Sequence, residues 1–528
     1  MTALCLSSVL ILAGCSAKPT ISTETSSAPA AASATPAPTP VAGGELKINM
    51  PKITAGDGGM HPLITPYRDM IDVLGLVYES PLRYDDNHKL SANLVESWEV
   101  DEAGTTWTFK LRDNIQWQKG YGQLTSDDVL YSFDVVKNNE ESFYSAAVSR
   151  FASYEKVDDL TFKVTTSTPY YGVLHAMTLP IVCRAYFTTH SSGVEAPGTG
   201  PYAFESMDGN GINFTVNENW WKREPYITKI HAVMMEDDAA AFAAYDAGEL
   251  DVVASSSYTA NKYKNRADQV VDYGTQQYDF MAMSLYREIF QDVRVRQAVC
   301  YAVDIKEIIT KAYMSQMIEA DIPLNPSSFY YDHTLEGYDR DLPKARQLLA
   351  EAGYSDANGD GVLEKGGSNL SFTILTDLSK TDTVHDDAAF LLAKQLEEAG
   401  FEVKVLTLDW EAFNERVTAR NFDALLTSFY VDEYPDLTFC FFSSGVSNLN
   451  AFRVSEVDEA LNAQHKYLTP EAYRTGMSTL HAMLVRQAPY VSIGFRTNTI
   501  VAKTAVRGIK TGSENHLYQN IDQWYIAE

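Results

Sequence analysis

Within the stretch Tyr430 to Asp436, two tyrosines and three acids, Asp432, Glu433 and Asp436, stand almost side by side, with Pro435 among them. Such a cluster supplies hydrogen-bond acceptors and flat rings, the chemistry of holding a ligand. The residues ahead of it, Phe422 to Phe429, are apolar and aromatic with few charges, the composition of a strand buried on both faces. Proline then stops the strand. Two further strands are read at Leu370 to Thr376 and Phe401 to Leu408, and two helices at His385 to Ala399 and Trp410 to Arg420, with Gly400 placed as a helix C-cap. The order is βαβαβ, which predicts a parallel sheet with right-handed crossovers. In open α/β sheets ligands sit beyond the carboxyl ends of the strands, where Tyr430 to Asp436 falls.

Other spacings carry less chemistry. No GxSxG elbow, HExxH pair or Walker A loop occurs, so an enzyme reading has no nucleophile, base or phosphate cradle, and no catalytic residue or cofactor is expected. His61, His385 and His481 read as surface or packing residues. GTGPY at Gly198 to Tyr202 reads as a chain reversal. Asp356-Ala357-Asn358-Gly359-Asp360-Gly361 matches the first half of a calcium loop, but position 12 is Gly367 where a bidentate Glu is required, so a calcium-free turn is favoured. Cys183, Cys300 and Cys440 are scattered without metal-ligand spacing, so no disulfide framework or zinc site follows.

The chain has 528 residues, enough for two or three domains. Lys and Arg total 42 against 70 Asp and Glu, a net charge of −28, which argues against nucleic acid or an anionic bilayer as partner of the body. Leu4 to Ala13 is an apolar run of signal-peptide length, too short to span a membrane. Its end, Leu12-Ala13-Gly14-Cys15, resembles the lipobox of bacterial lipoproteins, which implies a signal peptide over 1–14 and a diacylglyceryl group on Cys15. Met1 to Ser8 departs from the usual signal in carrying no Lys or Arg. Residues 15–44 form a Ser, Thr, Ala and Pro-rich linker that cannot bury enough surface to fold. The expectation is a body held by lipid on the extracytoplasmic side of the cell membrane.

In the body, Glu45 to Met50 alternates as a strand, Tyr67 to Tyr84 reads as a helix, and Leu94 to Trp117 as a hairpin with Trp107, Phe109 and Leu111 on one face. Thr125 caps a helix start, and Val295, Ala298, Val299, Ala302, Ile305 and Ile309 form one helical stripe. LVESWEVDEAGTTWTFKLRDNIQW, LTSDDV, GTGPY, NENWW, GELDVV, DVRVRQAVCYAVD, PKARQLLAEAGY and the region around Asp432 follow one another over most of the chain. In that order they resemble the family 5 solute-binding proteins of peptide and nickel ABC importers.

The resemblance implies a fold class of α/β type, two-lobed and periplasmic-binding-protein-like (cluster C), with a small inserted third domain. Lobe I would comprise 45–75, 190–280 and 495–528, the inserted domain 76–189 and lobe II 281–494. The expected ligand is an oligopeptide captured by cleft closure, the partner a membrane ABC permease, and the protein a monomer. Asp432 takes the place of the aspartate that pairs with a peptide's α-ammonium group, with Glu433 or Asp436 as alternatives in register. Phe429, Tyr430 and Tyr434 would form the walls, with Phe429 equally able to face the core. Arg453 and Arg496 are available for a peptide carboxylate, and Ser284 stands where many relatives have an asparagine. A peptide-pheromone receptor, or an oligosaccharide or metal-chelate binder of the same fold, are the alternatives.

Overall fold

A mixed sheet of eleven strands runs through the computed structural model, which describes residues 40–53, 59–190, 193, 195–378, 383–510 and 512–527. The signal segment, Cys15 and the linker up to Thr39 lie outside the described residues. In chain order the strands are β1 (Glu45–Pro51), β2 (Tyr202–Met207), β3 (Gly211–Val216), β4 (Lys229–Met235), β5 (Val252–Ser255), β6 (Gln269–Met283), β7 (Met317–Glu319), β8 (Ser371–Asp377), β9 (Glu402–Leu408), β10 (Ala424–Tyr430) and β11 (Tyr490–Ala502). Across the sheet they stand β9-β8-β10-β6-β11-β5-β1-β4-β3-β2, with β7 added on β11.

The two long strands, β6 and β11, are the spine. They pair antiparallel from Gln269↔Ala502 to Ala282↔Tyr490. One end of β11 pairs β5, from Val252↔Ala502, and the other end of β6 pairs β10, to Met283↔Ala424. Both halves of the sheet therefore share these strands, and the boundaries expected at 280/281 and 494/495 fall inside them. Register shifts between Gly274 and Tyr278, and between Asp279 and Phe280, bend β6 midway.

The βαβαβ region forms from β8, a helix at Val384–Glu397, β9, a helix at Trp410–Thr418 and β10, with β8 paired in parallel to both neighbours. Gly400 adopts a left-handed φ of 99°, two residues past the C-cap Glu398, and a Cβ there would meet Leu363 Cγ at 2.6 Å. The parallel pattern stops at β10, whose other partner, β6, is antiparallel. Along β10 the side chains pass from fully buried at Ala424 to Leu426 to 47% exposed at Tyr430, so the strand leaves the core at its carboxyl end.

Two helix readings are corrected. Between Tyr67 and Tyr84 only Met70–Leu74 is α-helical and Leu82–Tyr84 is a strand, although Ile71, Leu74 and Tyr78 are all buried. The helix ends at Gly75 and Pro81 then forbids its continuation. The long stripe from Val295 is two helices, Val293–Ala302 and Ile305–Lys311. They are broken at extended Val303, where Asp304 caps the second helix by accepting from Glu307 N at 2.9 Å.

The expected hairpin forms, Val95–Val100 with Thr106–Leu111, inside a separate four-stranded antiparallel sheet with Thr161–Thr166 and Phe151–Lys156. Trp107, Phe109 and Leu111 are buried together; Phe109 stacks on Phe162 at 5.1 Å, and the helix Ser126–Lys137, opened by a Thr125–Asp128 capping box, adds Phe133.

Beside the bend in β6 lies a buried charge cluster. Asp279, 0% exposed, accepts from Arg496 Nε and Nη2 at 3.0 and 2.9 Å, from Ser428 Oγ at 2.7 Å and from Tyr313 Oη at 2.9 Å. His385, at the start of its helix, sits 3.1 Å from both Asp279 and Asp377. Burial works to lower the His385 pKa, but the two carboxylates outweigh it and hold the ring at about 9. Because the folded value is raised, the protonated ring stabilises the fold fully below its ordinary pKa of about 6.5, and this is lost as pH rises through about 9. A His385→Gln variant is expected to be less stable than the parent by about 3 kcal/mol at pH 6, with the gap closing by pH 10. Thermal denaturation across that range checks it, and a gap independent of pH refutes the charged state.

Candidate functional site

As β10 ends, Val431 N donates to Gln276 O at 2.8 Å, tying the chain to the bend in β6. From there Asp432, Glu433, Tyr434 and Asp436 line a cavity of about 590 Å³, a volume in the range of ligand pockets. Its other walls come from far in sequence: Arg68 and Ile71, then Phe143, Tyr144, Arg150, Tyr170 and His175 of the inserted region, then Gln276, Asn515 and His516. Asp432 and Glu433 also line a second chamber of about 200 Å³, together with Ile318, Leu324 and Phe495.

The three acids have different occupations. Asp436 accepts from Thr438 N at 3.0 Å, just ahead of the short helix Thr438–Phe441, and lies 3.4 Å from Arg150 Nη2. Glu433 accepts from Ser513 Oγ and stands 3.5 Å from His516 Nε2. Asp432 makes no hydrogen bond or ion pair among the described residues, and neither do the backbone N–H groups of Asp432 and Glu433. Asp432 is exposed to the cavity yet enclosed by its walls, so burial raises its carboxyl pKa, the nearby Arg68 cation opposes the rise and Glu433 adds to it.

Tyr430 does reach the cavity, its hydroxyl donating to Glu514 Oε1 at 2.5 Å. Tyr434 packs into a wall of rings, 4.8 Å from His175, 5.6 Å from Tyr170 and 5.8 Å from Tyr473. Phe429 does not line the cavity. Alternation along the strand turns it into the core, 4.5 Å from Phe280 and 5.3 Å from Phe439. Neither arginine considered for a carboxylate arrives: Arg453 is exposed ahead of the helix Ser455–Gln464, and Arg496 is committed to Asp279. Ser284 is buried at the end of β6 and lines no part of the cavity.

His175, fully enclosed, has its pKa pushed to about 3 by burial and is neutral. Its ring nitrogens meet Tyr84 Oη at 2.7 Å and Tyr330 Oη at 3.3 Å, and Tyr330 meets Tyr171 at 3.0 Å, so it ties the inserted region to the loop holding Tyr330. His61 and His481 are packing residues, against Phe187 at 4.5 Å and Tyr331 at 5.0 Å. His385 departs from the surface-or-packing reading, since it belongs to the charge cluster. In GTGPY the backbone bends at 199–201 and runs so close to Val77 that a Cβ on Gly198 would lie 1.9 Å from its carbonyl oxygen, so glycine there serves a close approach of two chain segments. In the calcium-like loop, Glu364, not the residue at position 12, comes within 4.8 Å of Asp356 and Asp360, and the Asp356 carboxylate accepts from Gly359 N and Gly361 N at 2.6 and 3.1 Å. Cys183, Cys300 and Cys440 are buried free thiols.

Sequence reasoning missed Arg68, Phe143, Arg150, Tyr170 and His175, which share no period or motif. One signal existed: Arg68 is the only Lys or Arg between Lys52 and Arg83.

Residues 89–449 match the family model described as bacterial extracellular solute-binding proteins, family 5 Middle. The chain belongs to this family. Similar relatives of this family 5 chain include the oligopeptide-binding protein AppA of Bacillus subtilis, 26% identical over 480 residues and 87% of each chain. Another is the nickel-binding periplasmic protein of Escherichia coli, 25% identical over 365 residues, 66% of this chain and 69% of that one. Among solved structures, the unliganded open form of the periplasmic murein tripeptide binding protein MppA superposes with a TM-score of 0.82 at 21% identity, covering 93% of this chain and 99% of that one. The family 5 fold, two-lobed and α/β, is therefore that of this chain, and the family's proteins bind solutes for ABC importers.

Truncating His175 would strand the buried Tyr84 hydroxyl and open a void in the ring wall. A His175→Ala variant is expected to lose about 2 to 4 kcal/mol of stability, read by urea denaturation. A loss under about 0.5 kcal/mol, the range of an ordinary surface change, would show that the ring does not bind the two segments.

Proposed function

We propose that this family 5 protein captures oligopeptides and delivers them to a membrane ABC permease. The observation that carries the reading is Asp432, an unpaired carboxylate in the wall of a large cavity, at the strand end where ligands of α/β sheets sit. A peptide's ammonium group satisfies it with a charge-assisted hydrogen bond. The free backbone N–H groups of Asp432 and Glu433 suit the main chain of an extended peptide, an interaction indifferent to side-chain identity. The similarity to an oligopeptide-binding relative over 87% of each chain supports the same choice. A metal-chelate reading, suggested by the nickel-binding relative, has less support: both ring nitrogens of His175 are engaged and His516 pairs with Glu433.

In this proposal Cys15 carries the lipid, the linker sets the reach from the membrane, and the monomeric body works on the extracytoplasmic side. Two acyl chains suffice for stable anchoring. Ligand binding shifts the population toward a closed cleft through contacts made from both lobes.

Native mass spectrometry on the chain from Pro40 onward, one compact unit, reads what the cavity retains. A ladder of peptides of similar length and mixed sequence is the expected result, and an Asp432→Asn variant should bind them at least about tenfold more weakly, the worth of one hydrogen bond to a charged group. Retention of a sugar or a metal chelate instead would overturn the peptide reading, and a single retained sequence would favour a pheromone receptor. For the anchor, Cys15→Ser should move the protein from the membrane fraction to the medium.

A further inference from the structure

The main cavity contains two arginines with different freedom. Arg150 is committed: its Nη2 lies 3.4 Å from Asp436 and its Cζ 4.6 Å over the ring of Tyr170. The Arg68 side chain makes no ion pair or hydrogen bond among the described residues. Its guanidinium instead lies over two rings, with Cζ 4.6 Å from the Phe143 centroid and 4.5 Å from that of Tyr430.

These two ring contacts have a chemical consequence. Rings attract a guanidinium at its faces, while the N–H donors lie in its plane. With Phe143 and Tyr430 each holding the cation, its donor edge is left for a planar, two-oxygen acceptor, the geometry of a carboxylate. Tyr430 is itself held by Glu514, whose other oxygen accepts from Gln276 N at 2.8 Å, so one side of the clamp is rigid. The three clamp residues come from three regions: Arg68 ahead of the first helix, Phe143 in the inserted region and Tyr430 at the end of β10. Asp432 lines the same cavity and is also unpaired, and the two groups do not close on each other as an ion pair.

We infer that Arg68 is the carboxylate-binding residue of the cavity and that, with Asp432 taking the ammonium, the ligand is dipolar: a peptide carrying at least one free carboxylate. This rests on the peptide reading above and goes beyond it in fixing the ligand's second charge. The carboxylate is the peptide's C-terminus or an acidic side chain.

The test offers the full-length chain in mild detergent two synthetic tri- to pentapeptide pools, one with free C-termini and one amidated, and reads the retained species by native mass spectrometry. The parent chain is expected to retain free acids over amides by about tenfold to a hundredfold, and Arg68→Gln to erase that preference. Retention from the amidated pool of Asp- or Glu-containing sequences alone, again dependent on Arg68, assigns the carboxylate to a side chain. Arg68→Lys, which keeps the charge without the flat fork, should recover only part of the preference. Melting temperatures close to the parent's are expected for both variants, since Arg68 is half-buried and unpaired. If the parent shows no preference for a carboxylate, or if Arg68→Gln keeps it, the assignment to Arg68 is overturned while the peptide reading stands. If the parent retains neither pool, the peptide reading fails and this inference with it.

Discussion

The bend in β6 is the constraint on which the rest depends. A regular strand would pair with β11 along its whole length; the register shifts between Gly274 and Phe280 instead turn Gln276 out of the ladder. Its two backbone groups then become fixed points, one accepting from Val431 N and the other donating to Glu514. Through the first, the chain leaving β10 is aimed along the cavity wall. Through the second, Glu514 holds Tyr430, and Tyr430 faces Arg68. Beside the same bend, Asp279, Arg496 and His385 satisfy one another in a buried cluster, which a carboxylate at 0% exposure requires. Removing one member would leave an uncompensated charge in the spine shared by both halves of the sheet.

The charge of the molecule and the charge of its site are different quantities. A surplus of 28 acids keeps the surface away from polyanions. In the cavity two arginines face three acids, and two of those acids are already engaged, Asp436 by Arg150 and a helix start, Glu433 by Ser513 and His516. What is left is one carboxylate and one guanidinium. In the proposed reading the recognition chemistry resides in these leftovers, which residue counts cannot reveal because pairing is decided by position in space.

Much of the fold was legible before the structure. The βαβαβ unit and the hairpin at Val95–Leu111 each follow from local rules of period and cap. Errors came where tertiary contacts override local pattern. The apolar spacing from Ile71 to Tyr78 buries its residues without an extended helix, and the stripe from Val295 is cut where Asp304 caps a new helix and its N–H meets Gln395 at 2.8 Å. At the site, the Asp432 segment could be nominated because strand ends and breakers are local. The side on which Phe429 falls stayed open in the sequence because the face it occupies depends on register with β6.

By itself, then, the sequence determined the family, through motifs that follow one another along the chain, and the sheet-forming unit with the segment of acids and rings at its carboxyl end, through local period, caps and breakers. Only the tertiary structure decided which of those acids is free and which cation faces it. Arg68, Phe143 and Tyr430 are brought together by strands and loops hundreds of residues apart, and Arg496 is withdrawn by a partner 217 positions away. A charge is available to a ligand only if nothing else in the fold has neutralised it, and that is a property of the packed chain.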